Sequence, residues 1–173
     1  MADIYLIRCL WDGAENFCIW FSDDKDGLFC DEEKRILCFM GEDATLLYLS
    51  QRNLCLCEDE DFAVYDFDRL KTWVDSDDPE INCSDILNHW NIFNDIAYTA
   101  GVKFKGDKRT KLRDSIYEKL FFGSTYHVFK PVFNPEGEDD YIPDWDKKEI
   151  KTIKTVMENG LNILRVCLKV YRH

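Results

Sequence analysis

The chain has 173 residues, 46% of them apolar and 14% aromatic, and carries 34 Asp and Glu against 22 Lys and Arg for a net charge of −12. That composition excludes a disordered acidic tail, and a chain of this length can bury roughly 70% of its unfolded surface in one domain. Met1-Ala2-Asp3-Ile4-Tyr5 lacks the basic and apolar regions of a secretory signal, and no window approaches the ~20 apolar residues of a membrane span. A cytoplasmic protein with no membrane partner is expected.

In chain order, Ile4–Leu10 is β-branched and apolar, Asp12-Gly13 supplies a turn, and Asn16–Phe21 is its hairpin partner. Both runs are too continuously apolar to leave a whole face in water, so the sheet should be covered on both sides or be heavily aromatic. Ser22–Asp26 ends at Gly27 as a loop, and Arg35–Met40 is a third strand. Ala44–Ser50 and Asn53–Cys57 suit two short strands, the first of them equally a helical turn. Asp68–Val74 suits a short helix.

Ser84 or Asn82 can cap a helix running to Ala100, with Ile86, Trp90, Phe93 and Ala97 on one stripe and Gly101 as its stop. Lys111–Phe122 repeats the pattern with Leu112, Ile116 and Leu120 and should end at Gly123. Asp146-Lys147-Lys148-Glu149 is a capping box that starts a helix through Ile150, Ile153 and Met157. Asn159-Gly160 looks like its C-terminus. Residues 161–171 fit both a strand and a continued helix; the strand, returning to the N-terminal sheet, is favoured. The expectation is a single α+β domain over residues 1–173, with an N-terminal antiparallel sheet, three or four helices and the option of that last strand. Residues 1–80 are its sheet-rich acidic part and 81–173 its helix-rich part.

Motifs of catalysis are missing. The eight cysteines contain no CxxC pair, and Cys9, Cys18, Cys38 and Cys167 lie in apolar runs, where a free thiol behaves as a small hydrophobe. His89, His127 and His173 sit in no recognisable motif, and no phosphate loop, GxSxG elbow or HExxH occurs. No enzymatic activity, cofactor or metal is expected, although a site assembled from distant Asp, Glu and His would escape a motif search.

Charge is distributed unevenly. Residues 1–100 hold 23 acidic against 7 basic side chains, a net of −16, while 101–173 net +4. Phosphate contacts need Lys and Arg that the first part lacks, which argues against a nucleic-acid partner. The basic cluster Lys103, Lys105, Lys108, Arg109, Lys111 and Arg113 has only Phe104 nearby to stack on bases. A basic protein surface is the natural counterpart. The candidate partner-binding residues are Glu58, Asp59, Glu60 and Asp61; Asp75, Asp77, Asp78 and Glu80; and Asp139, Asp140, Tyr141, Asp144 and Trp145. The last group mixes carboxylates with aromatic side chains, as interface hot spots do.

Three segments, Asn91-Ile92-Phe93-Asn94-Asp95-Ile96-Ala97, Gly137–Asp146 and Val156-Met157-Glu158-Asn159-Gly160-Leu161, resemble bacterial immunity proteins encoded beside polymorphic toxins, of the contact-dependent growth inhibition type. The resemblance implies an acidic protein that binds one cognate toxin domain, often a basic nuclease, and blocks its active site or substrate groove. It carries over no site residue. A DNA-mimic inhibitor or an acidic adaptor fits the same charge.

Overall fold

Asp12 and Gly13 both have positive φ, 52° and 72°, the geometry of a two-residue turn matched to strand twist. They close β1 (Asp3–Trp11) onto β2 (Ala14–Ser22) in an antiparallel register that pairs Trp11 with Ala14. The turn is pinned from outside: the two carboxylate oxygens of Asp68 accept the N–H groups of Asp12 and Gly13 at 2.9 and 2.8 Å. A computed structural model describes residues 2–57, 63–133 and 141–171, with side chains except over 126–133.

Around this hairpin the sheet grows in both directions. On one side β5 (Ala63–Asp66) runs parallel to β1; on the other, β3 (Gly27–Leu28) and β4 (Ile36–Phe39) run antiparallel to β2. The C-terminal strand β6 (Leu168–Val170) returns as expected and pairs with β4, in parallel. The order is β5-β1-β2-β4-β6, with β3 beside β2. The fold is α+β, antiparallel at its centre, with parallel pairs at both edges.

Side chains alternate between two apolar layers, so the sheet is covered twice. Ile7, Cys9, Cys18, Leu28, Ile36 and Cys38 face the larger core, shared with α2 (Phe67–Asp75), α3 (Cys83–Ala100), α4 (Lys111–Phe133) and α5 (Lys147–Cys167). Ile4, Leu6, Phe17, Ile19, Leu37 and Phe39 face a smaller one, closed by α1 (Glu42–Ser50) and by Leu54 and Leu56. A 3₁₀ turn, Lys105–Asp107, bridges α3 and α4.

Several expected boundaries move. Ala44–Ser50 is helical, carried by α1: Glu42 and Asp43 sit in its first turn, where carboxylates suit the helix dipole, and Tyr48 and Leu49 are buried. Residues 53–57 make no strand, although the Cys57 N–H reaches the Ile4 carbonyl at 2.8 Å. Asn82 is the cap of α3, and Gly101, at φ 68°, ends that helix in the left-handed conformation. Gly123 and Gly160 do neither.

Both of those glycines lie inside helices because a neighbour approaches too closely for a side chain. A Cβ on Gly123 would stand 2.6 Å from Cys83 Sγ and 2.9 Å from Pro143 Cγ, and one on Gly160 would enter the Phe93 ring. The helix therefore continues through Gly160 to Cys167, and the alternating text after Leu164 becomes strand only at Leu168. Replacing Gly160→Ala should force Phe93 aside and cost about 2 kcal/mol of stability, read as a lower urea midpoint at unchanged slope. An unchanged midpoint would mean that α3 and α5 separate freely.

Candidate functional site

Of the acidic segments, Glu58–Asp61, Asp139 and Asp140 lie outside the described residues. Asp75 is the last residue of α2, and Asp77, Asp78 and Glu80 occupy the connection from it to α3. Asp66 caps α2 by accepting the Arg69 N–H at 2.9 Å, and Asn82 caps α3 through the Asp85 N–H at 2.9 Å. Between these caps the loop is built on Trp73, whose Nε1 donates to the Glu80 carbonyl at 2.7 Å. Ser76 Oγ donates to the Trp73 carbonyl and accepts the Asp78 N–H, while Asp78 Oδ1 accepts the Glu80 N–H.

Lys154 of α5 anchors the same loop. Its ammonium donates to the Trp73 and Ser76 carbonyls at 3.1 and 2.5 Å and lies 4.8 Å from the Trp73 ring centre. The backbone is thus held while Asp77, Asp78 and Glu80 remain exposed; Asp75 joins Lys71 at 2.6 Å. A groove of about 520 Å³ lies against the loop, with Trp73, Asp78, Glu80, Asp85 and Arg69 in its walls. A second groove, between the loop and α5, places Lys147, Lys151 and Lys154 beside Asp75, Asp77 and Asp78. The acidic run therefore faces water on one side and lysines on the other.

Tyr141, Asp144 and Trp145 lie on the approach to α5, held by Lys119 of α4. Its ammonium donates to the Asp144 carbonyl at 2.8 Å and to both oxygens of the buried Glu149 at 2.8 and 2.9 Å, and stands over the Trp145 ring. Glu149 Oε2 also accepts the Asp146 N–H, completing the capping box read in the sequence. Trp145 packs against the larger core, whereas Tyr141 is exposed.

Tyr141 continues an aromatic ledge on α4. Tyr117, Phe121 and Phe122 are exposed, Phe122 lies 5.7 Å from Phe121 and 6.3 Å from Tyr141, and Ile142 is 85% exposed. The sequence offered a signal for this ledge. Leu120, Phe121 and Phe122 are consecutive on a helix, where successive side chains point about 100° apart, so one apolar stripe cannot bury all three. The basic cluster at 103–113 runs along the α3–α4 connection into the first turn of α4, and Arg109 pairs there with Asp114 at 3.2 Å.

No protein-family model and no curated protein matches the chain. Among solved structures it is similar to the C-terminal domain of SatS, crystallised in complex with bromine: 14% identity, a TM-score of 0.52, and coverage of 97% of this chain and 94% of that one. At that identity the likeness is one of fold alone. No helix among the described residues is long and apolar enough to cross a membrane.

Titratable groups inside the fold serve structure. His89 is 1% exposed and ringed by Tyr65, Phe67 and Phe93; its Nδ1 lies 2.8 Å from the Asp85 carbonyl oxygen and 3.3 Å from Asp85 Oδ1. That contact holds the Asp85 carboxyl below its ordinary range. Among the described residues no group of three His, Cys, Asp or Glu side chains could hold a metal ion. The Lys169 ammonium at 2.8 Å, and then the Arg35 backbone N–H, keep the Asp31 carboxyl well below the usual range.

Asp95 goes the other way. Burial pushes it up to about 6, against the Trp20 Nε1 hydrogen bond of 3.0 Å and with Asp26 adding to the rise. A carboxyl raised in the folded state binds more protons there than in the unfolded chain, so stability falls as pH rises from near its ordinary 3.8 to about 6. Asp95→Asn keeps an acceptor for Trp20 and removes the buried charge. It should raise stability at neutral pH by about 1 kcal/mol, a figure discounted for a carboxylate that solvent still reaches, and lose the pH slope in that window. Thermal melts across that range test it, and parallel curves for the two proteins would refute the assignment.

Proposed function

We propose that this chain is an immunity-type inhibitor that binds a basic toxin domain, a nuclease by preference, and covers its active site or substrate groove from an acidic surface. The observation that carries the proposal is the pairing of fixed, exposed carboxylates with an exposed aromatic ledge. Asp77, Asp78 and Glu80 stand on a loop whose backbone is held by Trp73 and Lys154, and Tyr141 and Asp144 stand on one held by Lys119. Groups held in place before docking lose little entropy on binding, and aromatic side chains supply the contact area on which affinity concentrates.

Electrostatics would do the rest. A surface of net negative charge attracts a groove built for phosphate over a Debye length of ~10 Å at moderate salt, which raises the association rate more than the final affinity. The inhibitor needs no chemistry of its own, no cofactor and no nucleic acid. Its place of action is the cytoplasm, where an incoming toxin domain would meet it.

The test is a growth assay joined to binding kinetics. A toxin domain encoded beside this gene should arrest growth when expressed alone, and the chain should restore it. Reversing Asp77, Glu80 and Asp144 together to Lys should slow association about tenfold at low salt and flatten its salt dependence, with the melting curve unchanged. Association unaltered by the reversal would overturn the surface assignment. Inhibition of many unrelated DNA-binding proteins would replace the reading with DNA mimicry.

A further inference from the structure

Twice in this molecule an ammonium is seated between an indole ring and fixed oxygens. Lys119 stands 5.3 Å from the Trp145 ring centre and bonds both Glu149 oxygens. Lys154 stands 4.8 Å from the Trp73 ring centre and bonds two carbonyls. The negative face of the ring and the oxygens beside it attract the cation together. The groove of about 520 Å³ between α2, the acidic loop and α3 is lined with the same parts.

Its apolar lining is fixed, because Leu70 and Ile86 are buried core residues, and Trp73 forms a wall. Lys154 approaches that ring from the second groove and does not line this one. Carboxylates enter the lining from two elements, Asp78 and Glu80 from the loop and Asp85 from α3. Two of them are held. Asp78 Oδ1 accepts the Glu80 N–H, and the buried His89 stands behind Asp85 with its Nδ1 3.3 Å from Oδ1. Of Asp75, Asp77, Asp78 and Glu80, Asp75 alone has an ion pair among the described residues, with Lys71. Arg69 is the single basic residue of the lining, and its field acts on Asp85. Asp78 and Glu80 are thus left beside Trp73 without a counter-ion.

We propose that this groove is the anchor pocket of the inhibitory surface, entered by one arginine side chain of the partner protein, its guanidinium against Trp73 and its N–H groups toward Asp78 and Glu80. The proposal rests on the reading of the acidic loop as the partner-facing surface. A guanidinium is planar, always charged and offers paired donors to a carboxylate, whereas an ammonium is a point charge. An acidic side chain would meet three carboxylates against one guanidinium, and an apolar one would leave their charges uncompensated on docking. Arginine and tryptophan in a rigid pocket are also the residues on which interface energy concentrates.

The probe is N-acetylarginine methylamide, which presents the side chain without charged termini. It is titrated into the full isotopically labelled chain and followed by the Trp73 indole N–H and the amides of Leu70 and Ile86. Saturable shifts should gather there, and the citrulline analogue, equal in shape and uncharged, should bind about tenfold more weakly. Glu80→Gln should weaken the arginine probe about threefold, the worth of one exposed ion pair, and Arg69→Gln, which removes the competing cation, should tighten it by a similar factor. Equal binding of the two analogues, weaker binding to Arg69→Gln, or shifts gathered on the α4 ledge would overturn the proposal. Probe binding without growth rescue would support the pocket and overturn the immunity reading. Growth rescue without saturable probe binding would overturn the pocket and leave that reading standing.

Discussion

The central hairpin is apolar on both faces, and the rest of the molecule follows from covering it twice. Adjacent residues of β1 and β2 cannot share a side, so Ile4, Leu6, Phe17 and Ile19 need one cover while Ile7, Cys9 and Cys18 need another. The second cover is the stronger because α3 and α5 press together through Gly160 and Phe93 before they meet the sheet. With α5 seated there, its end delivers β6 to β4, where Lys169 reaches Asp31 across most of the chain. The first cover is a single short helix together with Leu54 and Leu56 of the segment after it.

Helix starts and stripes were legible from local chemistry. Asn82, Asp146 and Gly101 act at their positions because capping depends on neighbours within four residues. Ile86, Trp90, Phe93 and Ala97 are all buried, as their spacing requires. The hairpin turn was legible for the same reason. The misplaced helix ends have one cause, that a glycine's role depends on what stands opposite it. Gly101 and Gly160 look alike in the sequence; the first has a left-handed backbone, the second a phenyl ring against it. Residues 63–66 were missed because a four-residue strand directly after an acidic run gives too little pattern to separate from a loop, and its pairing partner is more than fifty residues away.

The candidate surfaces were legible as charge and not as geometry. Nothing local announces that Lys154 would cross from α5 to hold the Trp73 loop, or that Lys119 would tie Glu149 to Asp144. Both are long-range contacts by lysines in a segment of net positive charge. The basic patch counted in the sequence, Lys103 to Arg113, supplies neither support; Lys119 and Lys154 lie outside it. Phe121, Phe122 and Tyr141 form a ledge only because the chain after Gly123 stays helical and the approach to α5 folds back beside it.

The acidic side chains divide into two populations with different physics. Asp31, Asp66, Asp68, Asp85, Asp146 and Glu149 each accept hydrogen bonds from named N–H groups or ammonium ions, so their charge is part of the fold. If all the acidity had that use, no surface field would be left over. Asp3, Asp23, Asp24, Glu32, Asp77 and Asp144 have no such engagement through their carboxylates among the described residues, and all are exposed. Mutual repulsion among carboxylates that satisfy nothing internally works against compactness, and solubility would be served by charges of either sign interspersed. A set of one sign, standing on segments held by Trp73, Lys119 and the sheet itself, is the field that the proposed basic partner would meet.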